Sequence, residues 1–168
     1  TRQVERGLNV AATSSTGRVL DAVAALLGIC RERTYDGEPA MKLEAAASAG
    51  KPSAWDLDFL HGSDGCEVLS TRSLIAEAYR RYAAGERTES IAASFQYNLA
   101  RGVAAMAVRA AEERGTPRVA LSGGVAYNRA IRETIRDEVR AAGLEFIINR
   151  DYPLGDGCIS FGQAVYGG

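Results

Sequence analysis

The sequence predicts an α/β protein whose helices dominate the first two thirds of the chain and whose last third forms a βαβ unit. Three observations support this fold class. Apolar residues recur at helical spacing before Pro117, a strand, a glycine pair, a helix and a second strand follow it, and 168 residues suit one ordinary domain. We therefore expect one unit over residues 1–168, with a helical part at about 13–115 and a βαβ part at about 117–168.

The first helix is predicted in TSSTGRVLDAVAALLG. Hydroxyl side chains at positions 13–15 suit a helix N-cap, and Gly28 suits the residue that follows a helix end. The apolar residues between them share one helical face: Val19, Leu20, Val23, Leu26 and Leu27. A second helix is expected from Glu38 to Ala49, because Pro39 stands in its first turn.

The middle of the chain alternates weak and strong patterns. Residues 51–70 contain only short strand-like or irregular pieces, whereas Thr71–Ala84 has the pattern of a helix that Gly85 ends. The longest helix is expected at about Thr88–Arg114. One apolar stripe, predicted to pack in the core, runs along it: Ile91, Phe95, Leu99, Val103, Met106 and Ala110.

The last third begins with RVALSGG, a short apolar strand that ends in a glycine pair. An amphipathic helix is predicted from Val125 to Ala142, with Gly143 after it, and LEFIIN then forms a second buried strand. The crossover makes these strands parallel neighbours. Because two strands cannot form a stable open sheet alone, either residues 51–70 add strands or the rest of the sheet lies outside these residues.

Composition and charge exclude several functions. The 20 basic and 21 acidic side chains give a formal net charge of −1, without the basic field that attracts nucleic acid. We find no apolar run of roughly 18 residues and no signal-peptide pattern, so we expect a soluble, cytoplasmic chain without a membrane partner. The three cysteines lack disulfide-framework or metal-site spacing, and His61, in the turn-like stretch HGSDG, is the only histidine.

Ser122, Gly123 and Gly124 form a glycine-rich turn between the predicted strand and helix. Glycines there let backbone N–H groups approach a ligand closely, and a helix N-terminus favours an anion such as phosphate. The alternative is a tight turn that only requires positive φ. Asn128 is expected about one turn into the helix, where its amide either faces the same ligand or is solvated.

Two carboxylates are further candidates. Asp21 lies opposite the apolar face of the first helix, where it would accept hydrogen bonds from a ribose diol or a similar group, unless it rims a helix–helix contact. The other residues of its sector are small: Gly17, Ala24, Ala25 and Gly28. Asp156, in PLGDGCISFGQA, precedes an apolar helix-like run and is either an N-cap or a ligand of a metal or water.

Four segments together resemble the C-terminal part of the HypF family, the carbamoyltransferases of nickel-iron hydrogenase maturation: TSSTGRVLDAVAALLG, TYDGEPAMKLE, VALSGGVAYNR and PLGDGCISFGQA. The final HypF domain is similar to the tRNA threonylcarbamoyltransferases of the actin-like ATPase superfamily. The resemblance implies that the chain is the helix-rich part of a ribonuclease H-like lobe. SIAASFQ is closer to the tRNA-modifying family, because HypF usually has His where Gln96 stands, and Leu20 and Cys158 also depart from the HypF pattern.

The resemblance assigns binding residues one by one. It implies that Asp21 and Gly37 contact the nucleoside and that Asn128 contacts the nucleotide. Gly123 and Gly124 would lie against the phosphates. Asp156 matches the family's aspartate metal ligand, and no residue of this chain is assigned a catalytic role.

The resemblance also implies cofactors and partners. The cofactors would be an adenine nucleotide, as ATP or carbamoyl-adenylate, and a divalent metal, Fe or Zn, shared with histidines of a half-domain preceding Thr1. The partners would be HypE, whose C-terminal cysteine receives the carbamoyl group, the remaining HypF domains, and carbamoyl phosphate through the complete protein. We therefore expect this chain to be a fragment that lacks transferase activity by itself and binds metal weakly.

Three other functions stay open. A tRNA threonylcarbamoyltransferase would differ in acyl donor and acceptor and would add nucleic acid as a partner. A kinase of the same superfamily would need a catalytic acid from outside these residues. A non-catalytic module would only bind nucleotide or act as a scaffold. Zinc-finger and acyl-adenylate-forming modules encoded upstream of Thr1 would favour HypF.

Overall fold

The structure is a computed structural model that describes residues 2–8, 10–11, 13–62 and 65–167. The middle of the predicted HGSDG turn, Ser63 and Asp64, lies outside the described residues. The helices are α1 Arg2–Glu5, α2 Thr16–Leu26, α3 Glu38–Ala47, α4 Thr71–Ala83, α5 Thr88–Glu113, α6 Arg129–Ala141 and α7 Ile159–Gly167. The strands are β1 Phe59–His61, β2 Glu67–Leu69, β3 Arg118–Leu121 and β4 Glu145–Ile148, and short 3₁₀ turns span Gly124–Tyr127 and Asp156–Cys158.

The helices predicted before Pro117 are confirmed, with shifts of one or two residues at their ends. Ser15 caps α2 because its side-chain oxygen accepts a hydrogen bond from the Arg18 N–H at 3.4 Å, and Gly28 follows with a φ of 71°. The helices α2, α3 and α5 pack around fully buried side chains: Leu20, Val23, Ala24, Leu43, Ile91 and Phe95. Ala24 therefore belongs to the core and not to the small-residue sector predicted opposite it.

The central helix is α5, which contacts α3, α4 and α6. Its predicted apolar stripe is buried in the N-terminal half, where Ile91, Phe95 and Leu99 are at most 2% exposed. The C-terminal half of the stripe, from Val103 onward, is only partly buried. Three polar side chains of the N-terminal half are also buried: Ser94, Gln96 and Asn98. The helix therefore buries polar groups along with its apolar face.

Asn98 holds the extended segment that precedes β1 against α5. Its Oδ1 accepts a hydrogen bond from the Trp55 N–H at 2.8 Å, and its Nδ2 donates to the Ser53 carbonyl at 2.8 Å. The Ser94 hydroxyl accepts from the Ser53 N–H at 3.0 Å. These bonds satisfy backbone groups that no strand or helix pairs, which explains why polar side chains stand on a buried helix face.

The strands form two separate pairs. β1 and β2 are an antiparallel hairpin, with Phe59 opposite Leu69, and β3 and β4 are parallel, with Val119 opposite Phe146. The βαβ unit is confirmed. The strands of residues 51–70 do not join β3 and β4 in the described part of the chain, so that alternative for completing the sheet is wrong.

The helix predicted from Val125 to Ala142 begins four residues later, at Arg129. Asn128 has extended backbone angles, φ −64° and ψ 114°, and its Oδ1 accepts from the Ile131 N–H at 3.0 Å. Asn128 is therefore the N-cap of α6 and does not lie one turn inside the helix. The preceding residues form the Gly124–Tyr127 turn instead, so the glycine pair is separated from the α6 N-terminus.

The sheet of β3 and β4 is covered on one face. Val119, Leu121 and Phe146 are half-buried and pack against the core that includes α6, whereas Ala120 and Ile147 on the opposite face are exposed. Helix α7 contains no buried residue in the part that is described. None of the described helices combines the length and apolar character of a membrane span.

Candidate functional site

The predicted site residues meet around one cleft of about 760 Å³. Its walls come from α2, the start of α3, the turn before α6 and the loop before α7. Five of the six predicted residues line it: Asp21, Gly37, Gly124, Asn128 and Asp156. The sixth, Gly123, lines a neighbouring pocket of about 230 Å³ that shares Gly124 with the cleft. The structure brings these residues together, and their contacts with a ligand stay predictions.

The two glycines of the turn have different reasons to be glycine. Gly123 has φ 100° and ψ 167°, a backbone conformation that is open to glycine almost alone. Gly124 has no positive φ, and a Cβ added to it would meet no atom within 4 Å. The requirement for positive φ thus explains Gly123 and leaves Gly124 as a bare stretch of the cleft wall that a ligand can approach.

Gly17 is a second glycine that leaves the cleft wall without a side chain. The sequence predicted it as one of a sector of small residues but did not assign it to the site. It lies in the first turn of α2 and lines the cleft, and an added Cβ would meet only the Ser15 Oγ, at 3.6 Å. Glycine weakens a helix by about 1 kcal/mol relative to alanine, and neither φ nor packing requires it here. The two bare positions, Gly17 and Gly124, therefore keep the cleft open on two walls.

The Asn128 amide is already bonded within the protein. Besides capping α6, it donates from Nδ2 to the Gln96 Oε1 at 2.6 Å, and the residue is only 6% exposed. Gln96 is fully buried and is itself held by hydrogen bonds from Nε2 to the carbonyls of Ala92 and Leu43, at 3.2 and 3.4 Å. The chain of bonds from α5 to α6 fixes where the turn before α6 ends.

Gln96 is a residue whose structural role sequence reasoning missed. The sequence does contain a sign of this role, an amide side chain within the apolar run SIAASFQ. The predicted long helix places this residue next to Phe95, which belongs to the apolar stripe of the core. A buried amide needs partners. The sequence could not show that its partner is an asparagine 32 residues further along the chain.

The cleft lining is acidic. It includes the carboxylates of Asp21, Asp36, Glu44 and Asp156, with Arg18 as the basic side chain among the described lining residues. The Arg18 guanidinium lies 3.1 Å from the Asp21 carboxylate, and Glu44 accepts a hydrogen bond from the Arg129 N–H at 2.7 Å. Such a lining favours ligand hydroxyls that donate hydrogen bonds and repels phosphate. The uncharged turn at Gly124 is the part of the wall that suits phosphate.

Glu38 holds the loop that leads to Gly37. Its carboxylate lies 2.8 Å from the Lys42 ammonium and accepts hydrogen bonds from the N–H and hydroxyl of Thr34. The Lys42 ammonium and the Thr34 N–H lower the pKa of Glu38 from 4.5 to about 2. The carboxylate remains charged at neutral pH and ties the residues before Gly37 to the first turn of α3.

The loop with Asp156 is fastened to the glycine turn. The Leu154 carbonyl accepts hydrogen bonds from the Gly123 N–H at 2.7 Å and from the Ser122 hydroxyl at 3.2 Å. Asp156 begins a 3₁₀ turn and is exposed, and the cap position before it is Gly155, so the N-cap alternative for Asp156 is wrong. The loop therefore leaves the Asp156 carboxylate free of a capping role at the cleft.

A complete metal site is not formed by the described residues. Among them, no three His, Cys, Asp or Glu side chains are arranged to hold an ion. His61 ends β1 and does not line the cleft. One carboxylate does not fit the three or four protein ligands of a typical transition-metal site. Asp156 alone can at most contribute one ligand to a site that other residues complete.

Comparisons with known proteins agree with the sequence resemblance. Residues 1–163 match the family described as "Carbamoyltransferase, Kae1-like Domain, second subdomain". The chain is 40% identical over 163 residues to the probable carbamoyltransferase HypF of Methanocaldococcus jannaschii. This alignment covers 97% of this chain and 21% of that protein. It is 31% identical over 147 residues to the tRNA N6-adenosine threonylcarbamoyltransferase of Geobacter sulfurreducens, covering 84% and 42% of the two chains.

A solved structure is similar throughout. Full-length HypF in its phosphate- and nucleotide-bound form matches with a TM-score of 0.89 and 32% identity, over 99% of this chain and 22% of that one. The mixed, helix-rich α/β fold is thus that of part of HypF. The chain spans about a fifth of the length of each of these two HypF proteins.

Replacing Gln96 tests the hydrogen bond to Asn128. We expect Gln96→Leu to destabilise the protein by about 1–3 kcal/mol, because the buried Asn128 Nδ2 loses its acceptor. Urea unfolding measures this cost. In an Asn128→Ser background, where serine still caps α6 but has no amide nitrogen, the same substitution should cost about 1 kcal/mol less. An equal cost in both backgrounds would contradict the coupling.

The depressed pKa of Glu38 predicts an acid-dependent loss of stability. Because the folded-state pKa of about 2 lies below the ordinary 4.5, the contribution of Glu38 is complete above about pH 4.5 and is lost as the pH falls toward 2. Urea midpoints measured across this interval should fall less steeply in Glu38→Gln than in the parent protein. Parallel curves for the two proteins would show that Glu38 does not contribute.

Proposed function

The chain belongs to the Kae1-like carbamoyltransferase domain family, as its second subdomain, and from this membership we propose that it is part of a HypF carbamoyltransferase. The proposed reaction moves a carbamoyl group from carbamoyl-adenylate to the C-terminal cysteine of HypE in nickel-iron hydrogenase maturation. The observation that carries the proposal is the single cleft that joins the glycine turn, Asp21, Gly37 and Asp156. Similarity to HypF over nearly the whole chain supports it.

We further propose that the helices and the βαβ unit belong to a ribonuclease H-like lobe of the actin-like ATPase superfamily. The parallel pair β3 and β4, joined through α6, is consistent with part of such a lobe. Its remaining strands and the opposite lobe would come from the rest of the protein, together with the other HypF domains that supply carbamoyl-adenylate from carbamoyl phosphate and ATP.

In the proposed complex, the nucleotide spans the cleft. The acidic wall at Asp21 accepts hydrogen bonds from the ribose hydroxyls, and Gly37 lies close to the nucleoside. The phosphate would lie at Gly124, where an added Cβ meets no atom within 4 Å, with the Asp156 carboxylate on the adjoining loop. Asn128 also lines the cleft, and because its amide is bonded to Gln96 it shapes the turn.

The chemistry is an acyl transfer to sulfur. The thiolate of the acceptor cysteine attacks the carbamoyl carbon, the bond from that carbon to the phosphate oxygen breaks, and AMP leaves as the thiocarbamate forms. The backbone N–H of Gly124 would stabilise charge on the leaving phosphate, since the Gly123 N–H is bonded to the Leu154 carbonyl. A divalent metal, Fe or Zn, enters the proposal only as a site completed by histidines from outside these residues, with Asp156 as one ligand, and no step here depends on it.

A tRNA threonylcarbamoyltransferase is the second candidate. Two observations favour it: the SIAASFQ segment with Gln96, and the identity to the Geobacter sulfurreducens tRNA enzyme. The two candidates share the nucleotide cleft and differ in the acyl acceptor, which is a protein thiol in one and tRNA in the other. Assaying the complete protein with both acceptors separates them.

Gly124→Val tests the phosphate position. We expect it to weaken ATP binding to the complete protein by about tenfold or more in calorimetry, because a branched side chain enters the space that phosphate needs. The matched control is Gly162→Val, a glycine in α7 that also has open space and no positive φ but does not line the cleft. Unchanged ATP affinity in Gly124→Val would remove phosphate from this wall.

The division of the site between this chain and the rest of the protein can be tested directly. We expect the complete protein to bind metal and transfer the carbamoyl group to HypE, and the 168-residue chain at equal concentration to do neither appreciably. Metal analysis and a HypE carbamoylation assay give the two measurements. Stoichiometric metal and normal transfer by the chain alone would place the whole active site within these residues.

A further inference from the structure

Tyr127 joins the two loops that face each other at one end of the cleft. It is the last residue of the Gly124–Tyr127 turn and is 54% exposed, although its ring packs against the loop with Asp156. The contact is close, because a Cβ added to Gly155 would lie 3.2 Å from the Tyr127 Cε2 and 3.6 Å from the Gly124 Cα. The phenol therefore stands beside the bare wall at Gly124.

The phenol oxygen is held by two backbone donors. It accepts hydrogen bonds from the Leu154 N–H at 2.9 Å and from the Gly155 N–H at 3.4 Å. A phenol oxygen has two lone pairs and one proton. With both lone pairs engaged, the hydroxyl can interact further only by donating its proton, and no acceptor for that proton is found among the described residues.

We propose that the Tyr127 hydroxyl donates a hydrogen bond to a phosphate oxygen of the bound nucleotide. The inference rests on the proposed function, which places the phosphate at Gly124. The neighbouring Asp156 carboxylate, like Asp21 across the cleft, would repel phosphate, whereas a neutral hydroxyl attracts it without adding charge. The two N–H groups that bond to the phenol oxygen polarise its O–H bond and strengthen it as a donor.

The same bonds give Tyr127 a positioning role. They connect the loop of Leu154 and Gly155 to the turn of Gly124, so the hydroxyl is oriented before a ligand arrives. The loop has an independent fastening in the hydrogen bond from the Ser122 hydroxyl to the Leu154 carbonyl at 3.2 Å. This second bond allows the positioning role to be separated from the contact with phosphate.

The test measures the binding of ATP and of adenosine to the complete protein by calorimetry. We expect Tyr127→Phe to weaken ATP binding by about tenfold or more and to leave adenosine binding unchanged, because a hydrogen bond to a charged group is lost. Ser122→Ala removes one further side-chain fastening of the loop, leaves the hydrogen bond from the Gly123 N–H to the Leu154 carbonyl, and keeps the phenol. It should change ATP affinity by less than about twofold. Thermal unfolding should show both variants folded, since both hydroxyls are exposed or near the surface.

Each of the other outcomes overturns a specific part of the inference. Equal ATP affinity in the parent and Tyr127→Phe removes the contact while leaving the proposed function intact. An equal loss for ATP and adenosine, or an equal loss in Ser122→Ala, reduces Tyr127 to a fastening of the loop. Failure of the parent protein to bind ATP overturns the proposed function itself and this inference with it.

Discussion

The hydrogen bond between the Gln96 and Asn128 side chains is the interaction on which the geometry of the site depends. Both amides are buried, and an unpaired amide in that position would cost about 1–3 kcal/mol. Their pairing requires Asn128 to lie at the N-terminal end of α6, facing α5. Asn128 is therefore the N-cap, and the helix begins at Arg129. The four residues before it must then form a separate turn. The bare wall at Gly124 and the phenol of Tyr127 both follow from that arrangement.

Much of the fold could be predicted from the sequence because it is determined locally. The caps at Ser15 and Gly28 and the period of the apolar residues define α2, and the glycine turn between two apolar strands defines the βαβ unit. The start of α6 could not be predicted this way, since Val125 continues the amphipathic pattern. The competition between that pattern and the Asn128 cap is decided by Gln96, from another helix. The prediction of Asp156 as an N-cap was wrong for a similar reason. Its loop is positioned by hydrogen bonds to the glycine turn, which is distant in the sequence.

The candidate site was also predictable only in part. The residue pattern predicted Asp21 and the glycine pair as site residues, and the family resemblance added Gly37. Neither could distinguish a glycine that is required by a positive φ from one that leaves space for a ligand. The structure makes that distinction between Gly123 and Gly124. It also shows that Asp21, Asp36 and Glu44 line the cleft from α2 and from the loop and first turns of α3, whereas Asp156 lines it beside the glycine turn.

The two sides of the cleft are held by forces of different kinds. Asp21 and Gly37 stand on or next to helices whose buried side chains form the core, so moving them would disturb close packing. The loop with Asp156 is followed by a helix without buried residues and is fastened to the glycine turn mainly through Leu154, Gly155 and Tyr127. Local opening costs least where few apolar contacts are broken. Asp156 therefore lies on the more easily displaced wall, and any group that bonds to both Asp156 and the glycine turn stabilises that wall as it binds.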